Sequence, residues 1–171
     1  MSHADPPVWH ELDWRFMLPV PDLGRVYLAS ESSGDPARLR AVGVSVVDEP
    51  RDATLAFVDA SLGHISSLEH DLAPGTLVRV AIEGDRSWGI SSELRTRGWQ
   101  VLCRIWAVGG ITNASAYVDL DDQRAVRYAW QRRRPADLRA RLALVIRLVL
   151  ARAGLSRALC REGFVFARTP L

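Results

Sequence analysis

The chain has 171 residues, of which 48% are apolar and 25% charged, with a formal net charge of +2. That length suits one domain with a real core and leaves little room for two. No apolar run reaches the roughly 18 residues of a membrane span. The opening MSHADPPVWHELDW has neither the basic nor the apolar stretch of a secretory signal. A cytoplasmic protein without a transmembrane segment is therefore expected. Its two cysteines, Cys103 and Cys160, stand far apart with no CxxC pair and read as free thiols.

All 22 basic residues are arginine, and charge is segregated along the chain. Residues 1–122 carry 10 Arg against 18 Asp and Glu, net −8; residues 123–171 carry 12 Arg against 2 acids, net +10. Such a split predicts a polar molecule whose basic end faces something anionic, whether a partner or the acidic half of its own fold or of a second copy.

Taken in order, residues 1–23 read as a covering segment. Leu12, Trp14, Phe16 and Leu18 alternate, and prolines follow at 19 and 21. From Gly24 to Glu49 the pattern is strand, loop, helix, strand. An apolar run holds Val26 and Leu28, an ESSG loop follows, and Asp35 and Pro36 make an N-cap and first turn. Gly43 stops the helix, and Val44, Val46 and Val47 form the next strand. TLAFVDA is a third strand, ending at Asp59. The link before it is shorter than the dozen or more residues of an ordinary parallel crossover, so its direction stays open.

SLGHISSLEHDL is helical, with apolar residues at 62, 65, 68 and 72, and APG stops it before the strand TLVRVAIEG. A short helix capped by Ser91 or Ser92 ends at Gly98. Then come the strand VLCRIWAV, a Gly-Gly turn, a strand at 114–120, and a helix begun by an Asp cap. Pro135 interrupts that helix. Residues 137–153 form a second one, ending at Gly154, then a short helical turn and a last strand, FVFARTP. The spacing yields one α/β domain over 1–171 with a mostly parallel sheet and an arginine-rich helical region at 123–161.

Three stretches resemble the class I S-adenosylmethionine-dependent methyltransferases. LEHDLAPGTLVRVAIEG is similar to their helix, PGG-type turn and strand; Asp48 and Glu49 end the second strand, where the family places an acid; and Asp59 ends the third. The resemblance implies a Rossmann-like domain, here trimmed between the second and third strands, with S-adenosylmethionine held by Glu31, Gly34 and Asp48 and with Asp59 beside the methyl group. The departures are as specific. The family's glycine-rich loop lets backbone approach the cofactor, and Ala29-Ser30-Glu31-Ser32-Ser33-Gly34 keeps one glycine. The expectation is therefore a degenerate cofactor site, no tightly held cofactor, and a non-catalytic accessory protein. An active methyltransferase with an atypical loop is the alternative.

No nucleophile elbow, phosphate loop, HExxH or paired CxxC occurs. His64 and His70 lie six apart, about 240° around a helix, and share no face. The last helical region places Leu138, Leu142, Val145 and Val149 on one stripe, expected to be buried in this domain or against a partner. Arg139, Arg141, Arg147 and Arg152 would form a partner-binding surface. A partner protein, self-association or an anionic membrane surface fits it. Nucleic acid fits poorly, because no aromatic series is interleaved with the arginines.

Overall fold

The computed structural model describes residues 13–18, 22–30, 35–59, 62–83, 89–111, 114–132, 138–153, 160 and 162–171. Among these, seven strands form one sheet: β1 Arg25–Leu28, β2 Ser45–Val47, β3 Leu55–Asp59, β4 Leu77–Ile82, β5 Gln100–Val108, β6 Ala116–Asp119 and β7 Gly163–Arg168. Five helices accompany them: α1 Pro36–Ala41, α2 Leu62–Leu68, α3 Ile90–Thr96, α4 Gln123–Gln131 and α5 Leu138–Arg152. The strand order is β2-β1-β3-β4-β7-β5-β6. Pairs β1–β2, β1–β3 and β3–β4 are parallel; β4–β7, β5–β7 and β5–β6 are antiparallel. Five strands thus run one way and two, β6 and β7, oppose them, so the sheet is mixed, with its parallel half first.

Side chains alternate between the faces, as a two-residue period requires. Ala56, Val58, Val78, Val80, Val165 and Ala167 point to one face, where Ile65 and Leu68 of α2, Leu94 of α3, and Val126 and Trp130 of α4 cover them; Leu144 and Leu148 of α5 join this layer. Leu55, Phe57, Phe164 and Phe166 point to the other, covered by Leu39 of α1 and by Trp14 and Leu18. Four helices therefore lie on one face. The second face has one helix and an N-terminal 3-10 turn, Asp13–Met17.

That turn corrects the alternating pattern expected at 12–18. Trp14 is fully buried and Leu18 nearly so, while Phe16 is exposed, which is the spacing of a helical turn and not of a strand. Trp14 sits 5.0 Å from Phe166 and 5.7 Å from Phe57, centroid to centroid. The guanidinium of Arg79 lies 3.7 Å from the centre of the Phe57 ring and 5.4 Å from that of Trp14. A buried cation against aromatic faces is favourable where water is excluded. Trp14 is thus part of the core.

Strand β3 pairs parallel with β1 across a link holding only a 3-10 turn, Pro50–Asp52. Register explains why so short a link suffices. Val47 lies beside Tyr27 and Leu55 beside Val26, so the chain returns by one residue along the strands. It crosses two strand spacings, about 10 Å, well within the reach of seven residues at about 3.3 Å each. Thr54 anchors the far end. Its N–H donates to Arg25 O at 2.8 Å, and its Oγ1 accepts from Arg25 N at 2.7 Å. Gly24, at φ +58°, permits this approach, since a Cβ there would stand 2.3 Å from Thr54 Oγ1.

Asp35 caps α1 as expected, accepting from Ala37 N at 2.9 Å. Helix α3 begins two or three residues early, at Ile90, with Gly89 at its N-cap and no side-chain cap from Ser91 or Ser92.

Candidate functional sites

Strand order reverses at β1, which has β2 on one side and β3 on the other. In open α/β sheets ligands enter at such a switch point, beyond the carboxyl ends of the strands. Ser30, Asp48 and Asp59 gather there. Ser30 follows β1 and its Oγ donates to Asp59 Oδ2 at 2.6 Å, tying the ends of β1 and β3 together. Asp48 follows β2 and is exposed. A cavity of about 330 Å³ opens between them, lined by Tyr27, Leu28, Ser30, Pro36, Arg40, Val46, Val47 and Asp48. Asp59 is not among its lining residues. Glu31 and Gly34 lie outside the described residues.

The cavity is at the small end of ligand pockets. Its described wall offers one carboxylate, Asp48, and one guanidinium, Arg40. Asp59 hydrogen-bonds Ser30, and Asp48 is the one carboxylate among the described residues of the wall. The described residues hold no group of three or more His, Cys, Asp or Glu placed to bind a metal ion.

A roomier cavity, about 780 Å³, lies away from the switch point, between edge strand β6 and α4. Met17, Val108, Ala116, Val118, Ala125 and Ala129 give it apolar walls; Asp119, Tyr128 and Arg132 add polar atoms. Asp122, also on its wall, is engaged as the α4 cap, accepting from Arg124 N at 2.8 Å. Only Ala125 and Ala129, small residues one turn apart on α4, hint at this hollow in the sequence. The groove itself comes from residues distant in the chain. Behind it, burial pushes the Cys103 thiol up to about 12, with Asp119 and Asp121 adding to the shift. Neither Cys103 nor Cys160 is in a disulfide.

The third surface is α5. Leu144 and Leu148 pack on the domain, and Arg147 lies over Trp130 at 4.9 Å. The stripe expected to be buried faces outward in this chain: Leu138 is 82% exposed, Leu142 64%, Val145 56%, Ile146 50% and Val149 57%. Arg139 and Arg141 are exposed beside it. Arg147 is exposed as well and at the same time touches α4 through Trp130. The side chain of Arg152 lies outside what the structure describes. Between the helices, Arg124, Arg127, Tyr128, Gln131 and Leu148 line a cleft of about 190 Å³.

No protein-family model matches the chain, and no curated protein matches it. Among solved structures, the crystal structure of the [4+2]-cyclase SpnF is similar at a TM-score of 0.42 and 15% identity, over 95% of this chain and 80% of that one.

Proposed function

We propose that this protein is a non-catalytic accessory protein that docks an anionic, apolar-faced partner through the outer side of α5. The supporting observation is the run of five large apolar side chains, each at least half exposed on one stripe of a single helix. Soluble monomers rarely expose a contiguous apolar patch of this kind unless something covers it. The stripe spans about 16 Å along the helix, at 1.5 Å per residue. Helix α5 contains four arginines and no acid, so a complementary surface is acidic.

The test compares the wild type with a Leu142→Ser/Val149→Ser variant by gel filtration and pelleting of extract from the producing cells. Wild-type chain should run in a larger or sedimenting species, and the variant as the free chain. If both run as free chain, the docking function fails.

The switch-point cavity supports a second function, that of a methyltransferase-like enzyme with an atypical loop. Asp48 would accept the ribose hydroxyls of S-adenosylmethionine, a cofactor that supplies a transferable methyl group when bound. Glu31 and Gly34 would complete its site. Because the loop after β1 keeps a single glycine, Gly34, we expect the purified chain to bind S-adenosylmethionine no more tightly than about 1 mM, near 4 kcal/mol. A micromolar dissociation constant by calorimetry, lost in Asp48→Ala, would restore the enzyme.

A further inference from the structure

We propose that the body docked on α5 is an anionic phospholipid surface, and that the cleft between α4 and α5 holds a lipid phosphate. The proposal rests on the docking function above and names its partner. Three observations carry it.

First, the arginines border the stripe. The centre line of Leu138, Leu142, Val145, Ile146 and Val149 has Arg139 about 80° to one side and Arg141 about 80° to the other. Both are exposed. Long arginine stems can follow an apolar helix face into the acyl boundary while their guanidinium groups stay at headgroup level.

Second, the cleft beside the stripe has donors of the right kind. Arg124, Arg127, Tyr128 and Gln131 line about 190 Å³ with no carboxylate among them. Leu148 closes the cleft and lies one helical turn from Val145, so cleft and stripe are continuous. A phosphate diester there would meet two guanidinium groups, whose forked N–H donors suit phosphate oxygens. A marginal single anchor becomes stable when an apolar signal and a basic one act together.

Third, the charge of the chain is polarised. The last 49 residues carry net +10 and the rest net −8. On α4 and α5 every charged residue is an arginine, and near a negatively charged plane that helical face turns inward. A second copy is disfavoured as the occupant, because α5 against α5 would bring arginine-bordered edges together with no acid on either helix. No described helix is long and apolar enough to cross a membrane, so the contact is peripheral.

The experiment is co-sedimentation of the full-length chain with phosphatidylcholine vesicles, with and without about 30% phosphatidylglycerol, at low and high salt. Binding is expected to the anionic vesicles only, and weaker at high salt, where charges are screened. Leu142→Ser/Val149→Ser should abolish it. Arg124→Gln/Arg127→Gln should weaken it about fivefold per arginine removed. Inorganic phosphate at about 10 mM should not compete, because the stripe needs the bilayer as well as the anion. Circular dichroism and melting curves check that each variant is folded. Absence of binding to anionic vesicles, binding untouched by the stripe variant, or displacement by free phosphate would overturn the proposal. Stripe-dependent association in cell extract without vesicle binding would also overturn it, while leaving the docking function in place.

Discussion

The guanidinium of Arg147 lies 4.9 Å from the centre of the Trp130 ring, and this contact sets which way α5 faces. Trp130 is buried against Trp106, with ring centroids 4.8 Å apart. Arg147 therefore rests on a fixed platform. With Leu144 and Leu148 it turns the Leu142–Val149 stripe outward. Removing the guanidinium in Arg147→Ala should cost about 1 kcal/mol of stability. Leu142→Ala should change it by less than about 0.5 kcal/mol, as at an exposed site. Urea denaturation separates the two. A loss of 2–5 kcal/mol for Leu142→Ala, as expected of a buried leucine, would mean that the stripe is core.

Gly24→Ala should destabilise the fold by about 1–3 kcal/mol. The new methyl would both meet Thr54 Oγ1 and force a positive φ on an L residue. Thr54→Val should also destabilise, since Arg25 N would lose its acceptor. Thermal melts of both variants measure this latch. An unchanged Gly24→Ala protein would show that the short β2–β3 link does not depend on it.

The raised pKa of Cys103 has a definite sign. Folding favours the neutral thiol, so the contribution is fully present below pH 9, the ordinary thiol value. It is lost as pH rises from there through about 12. At pH 8 the native thiol should therefore react with iodoacetamide at least tenfold more slowly than the same residue in urea, because the thiolate is the nucleophile. Mass spectrometry of the labelled peptide reads the ratio. Equal rates would mean that Cys103 is not held in its partly buried setting.

The strands were legible because β3, β4 and β7 are buried on both faces and so read as short continuous apolar runs bounded by polar residues or turns. The acids at the ends of β2 and β3 were also legible, since they follow those runs directly. Whether the stripe of α5 is buried in this domain or left for a partner stayed open in the sequence for a physical reason. This helix is apolar on two sides, Leu144 and Leu148 as well as the stripe, so spacing identifies both faces without telling which meets the sheet. Trp14 and Leu18 were read within an alternation that Leu12 and Phe16 complete, yet among the described residues the pair four apart is buried and Phe16 is exposed. The Ser30–Asp59 bond joins residues 29 apart in sequence. It and the β6–α4 groove exist only once the strands are assembled.

The most direct measurement of the docking claim is the labelling rate of a Leu142→Cys variant by a maleimide reagent, in purified form and in gentle extract of the producing cells. Wild-type chain gives the background from Cys103 and Cys160, and a Ser45→Cys variant, at an exposed position on edge strand β2, serves as the control. Pure Leu142→Cys protein should label quickly, since that side chain is 64% exposed. In extract its rate should fall at least about tenfold, equivalent to some 1.4 kcal/mol of protection, while the Ser45→Cys rate stays the same. Equal labelling of Leu142→Cys in both settings would show that nothing covers α5, and would contradict the account.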